Sequence, residues 1–166
     1  MVFEKCRVYQ ICLNPDKCVF MVCQGKILGH IVSKNGISTD FDKIKIIVEL
    51  PRPRNPKQVQ EFMGHYGYYR WFIYMYAMIA KPLYGLLVVF IWTDECEESF
   101  HKIMIALSTA PILKAPYWNL IFHVHVDASN FGIRAILAQP GEGNMDFPIC
   151  YASRQLNNAK KNYTTT

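Results

Sequence analysis

With 166 residues, 51% hydrophobic and 19% charged, the chain is long and apolar enough to bury a core and is not of disordered composition. A net charge of +5 leans mildly toward polyanions but is far from a histone-like tail, so charge alone names no partner. Six cysteines without any Cys-x-x-Cys pair argue against a zinc ribbon or a disulfide framework and read as structural or incidental thiols. The charged opening stretch, with Glu4, Lys5 and Arg7, lacks the apolar core of a secretory signal. An intracellular chain of unspecified compartment is expected.

Val2, Phe3, Val8 and Ile11 lie at near-helical spacing and predict a short helix within residues 1–12, ended by Asn14-Pro15-Asp16. Two strands, 18–22 and 26–32, are expected around a turn at Gln24-Gly25, with a further turn at Asn35-Gly36. Asp40 suits the cap of a helix carrying Phe41, Ile44, Ile47 and Val48, which closes at Pro51. A stiff, basic connector, Pro51-Arg52-Pro53-Arg54-Asn55-Pro56, follows. Asn55 as cap and Pro56 at the first helical position announce a helix with Val59, Phe62, Met63 and Tyr66 in one stripe. Tyr66, Tyr68, Tyr69, Arg70, Trp71 and Phe72 then gather aromatics around one guanidinium, which can stack bases or simply pack helices.

Residues 72–91 are almost wholly apolar and about as long as a membrane span. Lys81-Pro82 in the middle and Gly85 behind it divide the run into two core helices, so no membrane association is expected. Thr93 caps the next helix, opened by Asp94, Glu95, Glu97 and Glu98, with Cys96, Phe100, Ile103, Met104 and Leu107 as its buried stripe. Phe122, Val124 and Val126 alternate with His123, His125 and Asp127, the period of a strand with one face on a core. A carboxylate at the end of such a buried strand is costly without a metal, a cation or donors, which makes Asp127 the first functional candidate. A tight hairpin within 128–132 leads to strands 133–139 and 147–153, separated by Gly141-Glu142-Gly143-Asn144. The tail, 154–166, is polar and basic.

An ordered series of short motifs runs through these elements. Leu13-Asn14-Pro15-Asp16-Lys17-Cys18 comes first, then Leu28-Gly29-His30-Ile31-Val32-Ser33 with Gly36-Ile37, and Phe62-Met63-Gly64 with Tyr68-Tyr69-Arg70-Trp71-Phe72-Ile73. Ala80-Lys81-Pro82-Leu83, Trp92, Ala110-Pro111-Ile112-Leu113, Asp127-Ala128-Ser129, Ile149-Cys150-Tyr151-Ala152-Ser153-Arg154 and Asn162-Tyr163 continue it. The series resembles the polyprotein of Ty3/gypsy-type LTR retrotransposons over nearly the whole chain, from the end of the reverse-transcriptase palm into the RNase H-like domain. The resemblance implies an α+β fold: a helical thumb/connection segment followed by an incomplete RNase H-like β-meander of three strands, with the covering helix missing. Its divisions would be 1–50, end of palm and thumb; 51–116, helical connection; and 117–166, truncated RNase H-like domain.

The same resemblance makes Asp127 the first of the carboxylates that hold two Mg²⁺ ions during cleavage of RNA in an RNA–DNA hybrid. The partner Glu would follow the tyrosine-threonine run and the polymerase Tyr-x-Asp-Asp would precede Met1. The expectation is therefore a reverse transcriptase/RNase H fragment whose parent carries out RNA-directed DNA synthesis and hybrid cleavage, inactive alone and holding no Mg²⁺ by itself. Its nucleic-acid contacts, to a template–primer duplex or RNA–DNA hybrid, would come from Arg52, Arg54, Lys57, Arg70, Ser129 and Arg154. Arg134 in place of a usual Gly, Trp71 in place of an Arg, Lys160 in place of an acid and Val88-Val89 in place of lysines depart from the pattern and suggest a decayed copy. A non-enzymatic nucleic-acid-binding remnant is the alternative. A metal site of His123 and His125 with Asp127 is a third reading, although neither histidine belongs to the family pattern. An uncovered meander also predicts self-association through an exposed strand edge.

Overall fold

The computed structural model describes residues 2–130, 132–141, 143, 145–157 and 160, so the Asn162-Tyr163 motif and most of the basic tail lie outside the described residues. The first element, α1 (Val2–Val8), forms where the spacing predicts and buries none of its residues. A meander follows: β1 (Gln24–Ile27), β2 (His30–Ser33) and β3 (Gly36–Thr39), antiparallel and in that order. This corrects two expectations. Residues 18–22 form no strand, and Met21 stands fully in solvent at 104% exposure. The reversal expected at Gln24-Gly25 falls instead at Leu28-Gly29, between paired Ile27 and His30. Both turn residues have positive φ, 47° and 75°, as a two-residue hairpin requires. Leucine is an unusual occupant there, which hid the turn. The reversal before Gly36 is where Asn35-Gly36 places it, with Ser33 paired to Gly36.

Three helices start where polar side chains can accept from their free amides. Asp40 accepts from the Asp42 amide at 3.2 Å and opens α2 (Phe41–Val48). Asn55 Oδ1 accepts from the Gln58 amide at 2.9 Å, and Pro56 begins α3 (Pro56–Gly67). Ile44 and Ile47 of α2 and Val59, Phe62 and Tyr66 of α3 enter the core, while Phe41 and Val48 of α2 do not. A 3-10 turn (Arg70–Phe72) and two short helices, α4 (Tyr76–Ile79) and α5 (Lys81–Gly85), take up the apolar run, broken at Lys81-Pro82 as expected. Among the described residues no helix is long and apolar enough to cross a membrane.

Thr93 Oγ1 accepts from the Cys96 amide and starts α6 (Asp94–Ser108). Cys96, Phe100, Ile103, Met104 and Leu107 are all buried, as the stripe predicts, together with Ser99, whose hydroxyl donates to the Ile79 carbonyl. The six cysteines are free thiols.

The second sheet, β4 (His123–Ser129), β5 (Gly132–Pro140) and β6 (Asp146–Gln155), is antiparallel in that order. Mixed helix and sheet with a closing three-stranded meander is the expected fold class. Two side chains of β6 join the sheet to the helices: Ser153 Oγ accepts from the Ala77 amide at 2.8 Å, and Gln155 Nε2 donates to the Ala77 carbonyl at 2.7 Å. The chain leading into β4 is held by Gln139, which is wholly buried. Its Oε1 accepts from the Tyr117 amide at 2.8 Å, and its Nε2 donates to the carbonyls of Tyr117 at 2.9 Å and Leu120 at 3.2 Å.

The face of β4 is the principal correction. Val124 and Val126 were expected in a core and are 63% and 62% exposed. Alternation along a strand says which residues share a face, not which face is covered. The face carrying Ser153 and Gln155 docks on α4, and among the described residues neither Val124 nor Val126 joins the hydrophobic core. Asp127 shares the face of Ser153, yet it too is exposed and not buried, with 57% of its side chain open to solvent.

Candidate functional site

Asp127 on β4 stands directly opposite Arg134 on β5. Cross-strand partners share a face, and here the guanidinium Nη2 forms an ion pair with Asp127 Oδ2. Arg134 is held from two further sides: Nη1 contacts Met75 Sδ at 3.3 Å, and the guanidinium lies 5.7 Å from the centre of the Tyr74 ring. A fixed positive charge therefore sits on the carboxylate that the sequence singles out. Arg134, singled out in the sequence as a bulky cation near Asp127, is what supplies it.

The histidines do not gather on Asp127. His123 Nδ1 and His125 Nε2 both meet Asp146 Oδ2, at 2.8 and 2.7 Å. These hydrogen bonds, His123 first, hold the Asp146 carboxyl below the ordinary carboxylate range. The bridging residue comes from β6 and reaches this face because of a bulge. Leu137 pairs with Cys150 and Ala138 with Pro148, leaving Ile149 as the extra residue. One extra residue transfers Asp146 and Pro148 to the face of Tyr151 and Ser153. Simple alternation puts Asp146 on the opposite side, which is why the sequence reading missed it.

The six residues expected to meet nucleic acid fall in several places. Arg70 and Arg154, far apart in sequence, line one groove of about 460 Å³ with Trp71, Tyr84 and Tyr151. The Arg70 guanidinium lies 5.0 Å from the centre of the Trp71 ring. Burial pushes the Tyr151 hydroxyl, and that of the adjoining Tyr76, above the usual range, so both are neutral donors in any ordinary buffer. Arg52 is engaged elsewhere, 3.4 Å from Glu97 and 4.6 Å from the centre of the Trp92 ring. It lines a separate cleft with Arg54 and Phe90. Lys57 is exposed in the first turn of α3, and Ser129 Oγ donates to the Gly132 carbonyl at 3.2 Å beside the β4–β5 turn. Tyr84 and Tyr151, which complete the groove, carry no sequence signal that would pair them with Arg70.

Comparison with known proteins fits this architecture. Residues 92–166 match the RNase H-like domain found in reverse transcriptase. Over 167 residues the chain is 38% identical to the Retrovirus-related Pol polyprotein from transposon opus of Drosophila melanogaster, covering 92% of this chain and 17% of that protein. It is 38% identical over 168 residues to the corresponding polyprotein from transposon 297 of the same organism, covering 99% and 15%. Its fold is similar to part of the foamy viral protease-reverse transcriptase solved in complex with RNA/DNA hybrid, at a TM-score of 0.79 and 22% identity over 98% of this chain and 23% of that one. Residues 92–166 are thus of the RNase H-like class found in reverse transcriptase. The chain's homologues are Pol polyproteins of LTR retrotransposons of the gypsy and Tf2 type. It spans less than a fifth of the length of the curated relatives named here, at 17% and 15%.

RNase H-like domains generally use divalent metals. Mg²⁺ is a hard cation that takes several oxygen ligands. Asp127 offers it a carboxylate already engaged by Arg134, and among the described residues Asp127 belongs to no cluster of three potential ligands. These residues, as arranged, do not fit that ion.

Proposed function

We propose that the chain supplies the end of the palm and thumb (1–50), the connection (51–116) and a truncated RNase H-like domain (117–166) of a retrotransposon reverse transcriptase. In the parent polyprotein these parts serve RNA-directed DNA synthesis and Mg²⁺-dependent cleavage of RNA–DNA hybrid, with Asp127 at the position of a metal-binding carboxylate. The chain itself binds template–primer duplex or hybrid without cutting it. The observation that carries this reading is the groove in which Arg70 of the helical part and Arg154 of the sheet come together beside Trp71, Tyr84 and Tyr151. Guanidinium groups beside aromatic faces suit a phosphate backbone read by charge and shape.

Fluorescence anisotropy with an RNA–DNA hybrid over a salt series tests it. Binding is expected to weaken steeply with salt, and Arg70→Ala and Arg154→Ala are each expected to reduce the log–log slope by about one. Absence of binding at low salt, or slopes unchanged in both folded variants, sinks the proposal. In the same samples Mg²⁺ is expected to produce no cleavage, and turnover that vanishes in Asp127→Asn would show that the Arg134 contact opens.

Self-association belongs to the same reading. β4 is an edge strand whose apolar side, Val124 and Val126, is open. Bare edges with apolar faces pair with one another. Size-exclusion chromatography at rising concentration is expected to show a growing larger species, whereas a sharp monomer peak throughout argues against it.

A further inference from the structure

Two imidazole nitrogens and a carboxylate oxygen that converge on one point are a ligand set for a borderline-soft divalent ion, unlike the all-oxygen set that magnesium prefers. His123 Nδ1 and His125 Nε2 both meet Asp146 Oδ2, and ligand atoms of the three residues lie within 4.8 Å of one another, the one group of three or more such ligands among the described residues. We infer that these three side chains form a binding site for a divalent transition metal, with zinc as the first candidate.

Several features build the site. The histidines are two residues apart on one strand, so the β4 backbone holds both imidazoles on the same face. The β6 bulge at Ile149 turns Asp146 to that face, and the residue opposite His123 on the intervening strand is the small Ala138. A small side chain there lets the three longer ones meet above β5. The carboxylate accepts from both rings at once, so each ring already aims a nitrogen at a common centre. A tetrahedral site with bonds of about 2.0 Å separates neighbouring ligand atoms by roughly 3.3 Å. The observed 2.7 and 2.8 Å must therefore widen by about half an ångström. The side chains can do this, because His123 and His125 remain 39% and 57% exposed and Asp146 24%.

An ion would replace the two N–H protons that now point at Asp146 and leave a fourth position to water. It would tie β4 to the start of β6 across β5, at the end of the sheet where the β5–β6 turn closes. The site is independent of the Asp127–Arg134 pair and of the nucleic-acid reading, and it can fail or succeed without them.

Titration of the purified full chain with Co²⁺, followed by competition with Zn²⁺, tests the inference. One equivalent is expected to bind and to give the d–d bands of a tetrahedral nitrogen and oxygen site, without thiolate charge-transfer absorption. Removing even an outer partner of a metal ligand costs about 10- to 100-fold in affinity, so His125→Ala and Asp146→Asn are expected to lose at least about tenfold. No binding, thiolate bands, or affinity unchanged in both variants overturns the assignment. A second measurement needs no variant. In the wild-type chain Zn²⁺ is expected to protect His123 and His125 from acylation by diethylpyrocarbonate, mapped by mass spectrometry, while His65 stays reactive. Equal labelling of all three with and without Zn²⁺ overturns it.

Discussion

Gln139→Leu is expected to destabilise the chain by about 3 kcal/mol, a loss of roughly 10 °C in Tm. The two side chains are similar in volume, so packing changes little. What is removed is every hydrogen bond the amide makes to the segment before β4: one accepted from Tyr117 and two donated, to Tyr117 and Leu120. With Gln139 wholly buried, the group that replaces it is a methyl and not water. Each stranded backbone group costs about 1–3 kcal/mol, less where the loop swings out and is solvated. Thermal denaturation followed by circular dichroism measures the change. A Tm within a degree or two of the wild type would mean that residues 117–120 need no clamp.

Gly36→Ala is expected to cost as much or more. The glycine has φ of +130°, a region other residues enter only with strain of about 1–3 kcal/mol. A Cβ built there would lie 2.2 Å from the Leu113 carbonyl oxygen, a backbone atom that cannot rotate away. It would force apart the reciprocal bonds between Ile37 and Leu113, at 2.7 and 2.8 Å, that fasten β3 to the segment after α6. Overpacking of this kind adds about 1–3 kcal/mol. Gly25→Ala is the internal control, because a Cβ there meets nothing within 4 Å. Urea denaturation of both variants is expected to lower the midpoint for Gly36→Ala alone, and equal midpoints would show that the Ile37–Leu113 bridge is dispensable.

What could be read from sequence was mostly what depends on near neighbours. Asp40, Asn55 and Thr93 cap helices through amides two or three residues away, and each start was found. The buried stripe of α6 follows from its period alone. The break at Lys81-Pro82 follows from a missing amide proton. The errors lie where distant partners decide. Residues 18–22 have strand-like composition but no strand to pair with, and Leu28-Gly29 turns because the register of β1 against β2 demands it. Val124 and Val126 were correctly put on one face, yet helix docking on the other face decides exposure.

The candidate site divides in the same way. Asp127 and the anomaly at Arg134 were both visible, and their register as cross-strand partners turned two observations into one ion pair. Asp146 was hidden by a single extra residue in β6, because a bulge has no reliable signature in one sequence. Arg70 and Arg154 were each named, but that they share a groove depends on the whole sheet docking against the helices.

The grip of β6 on Ala77 has a consequence for how the two parts fold. α4 is only four residues long, and the residue before it, Met75, is left-handed at φ 58° and gives no side-chain cap. The amide of Ala77 is among those that a helix start leaves without an internal partner. Ser153 satisfies it from 76 residues away, and Gln155 takes the carbonyl of the same residue. The short helix thus borrows its cap from a strand, and both bonds to that strand run through a single peptide group on the helix side. Helix and sheet are thereby tied to each other at one peptide unit, and because Ala77 is itself buried in the core, that position is constrained on both its backbone and its side chain.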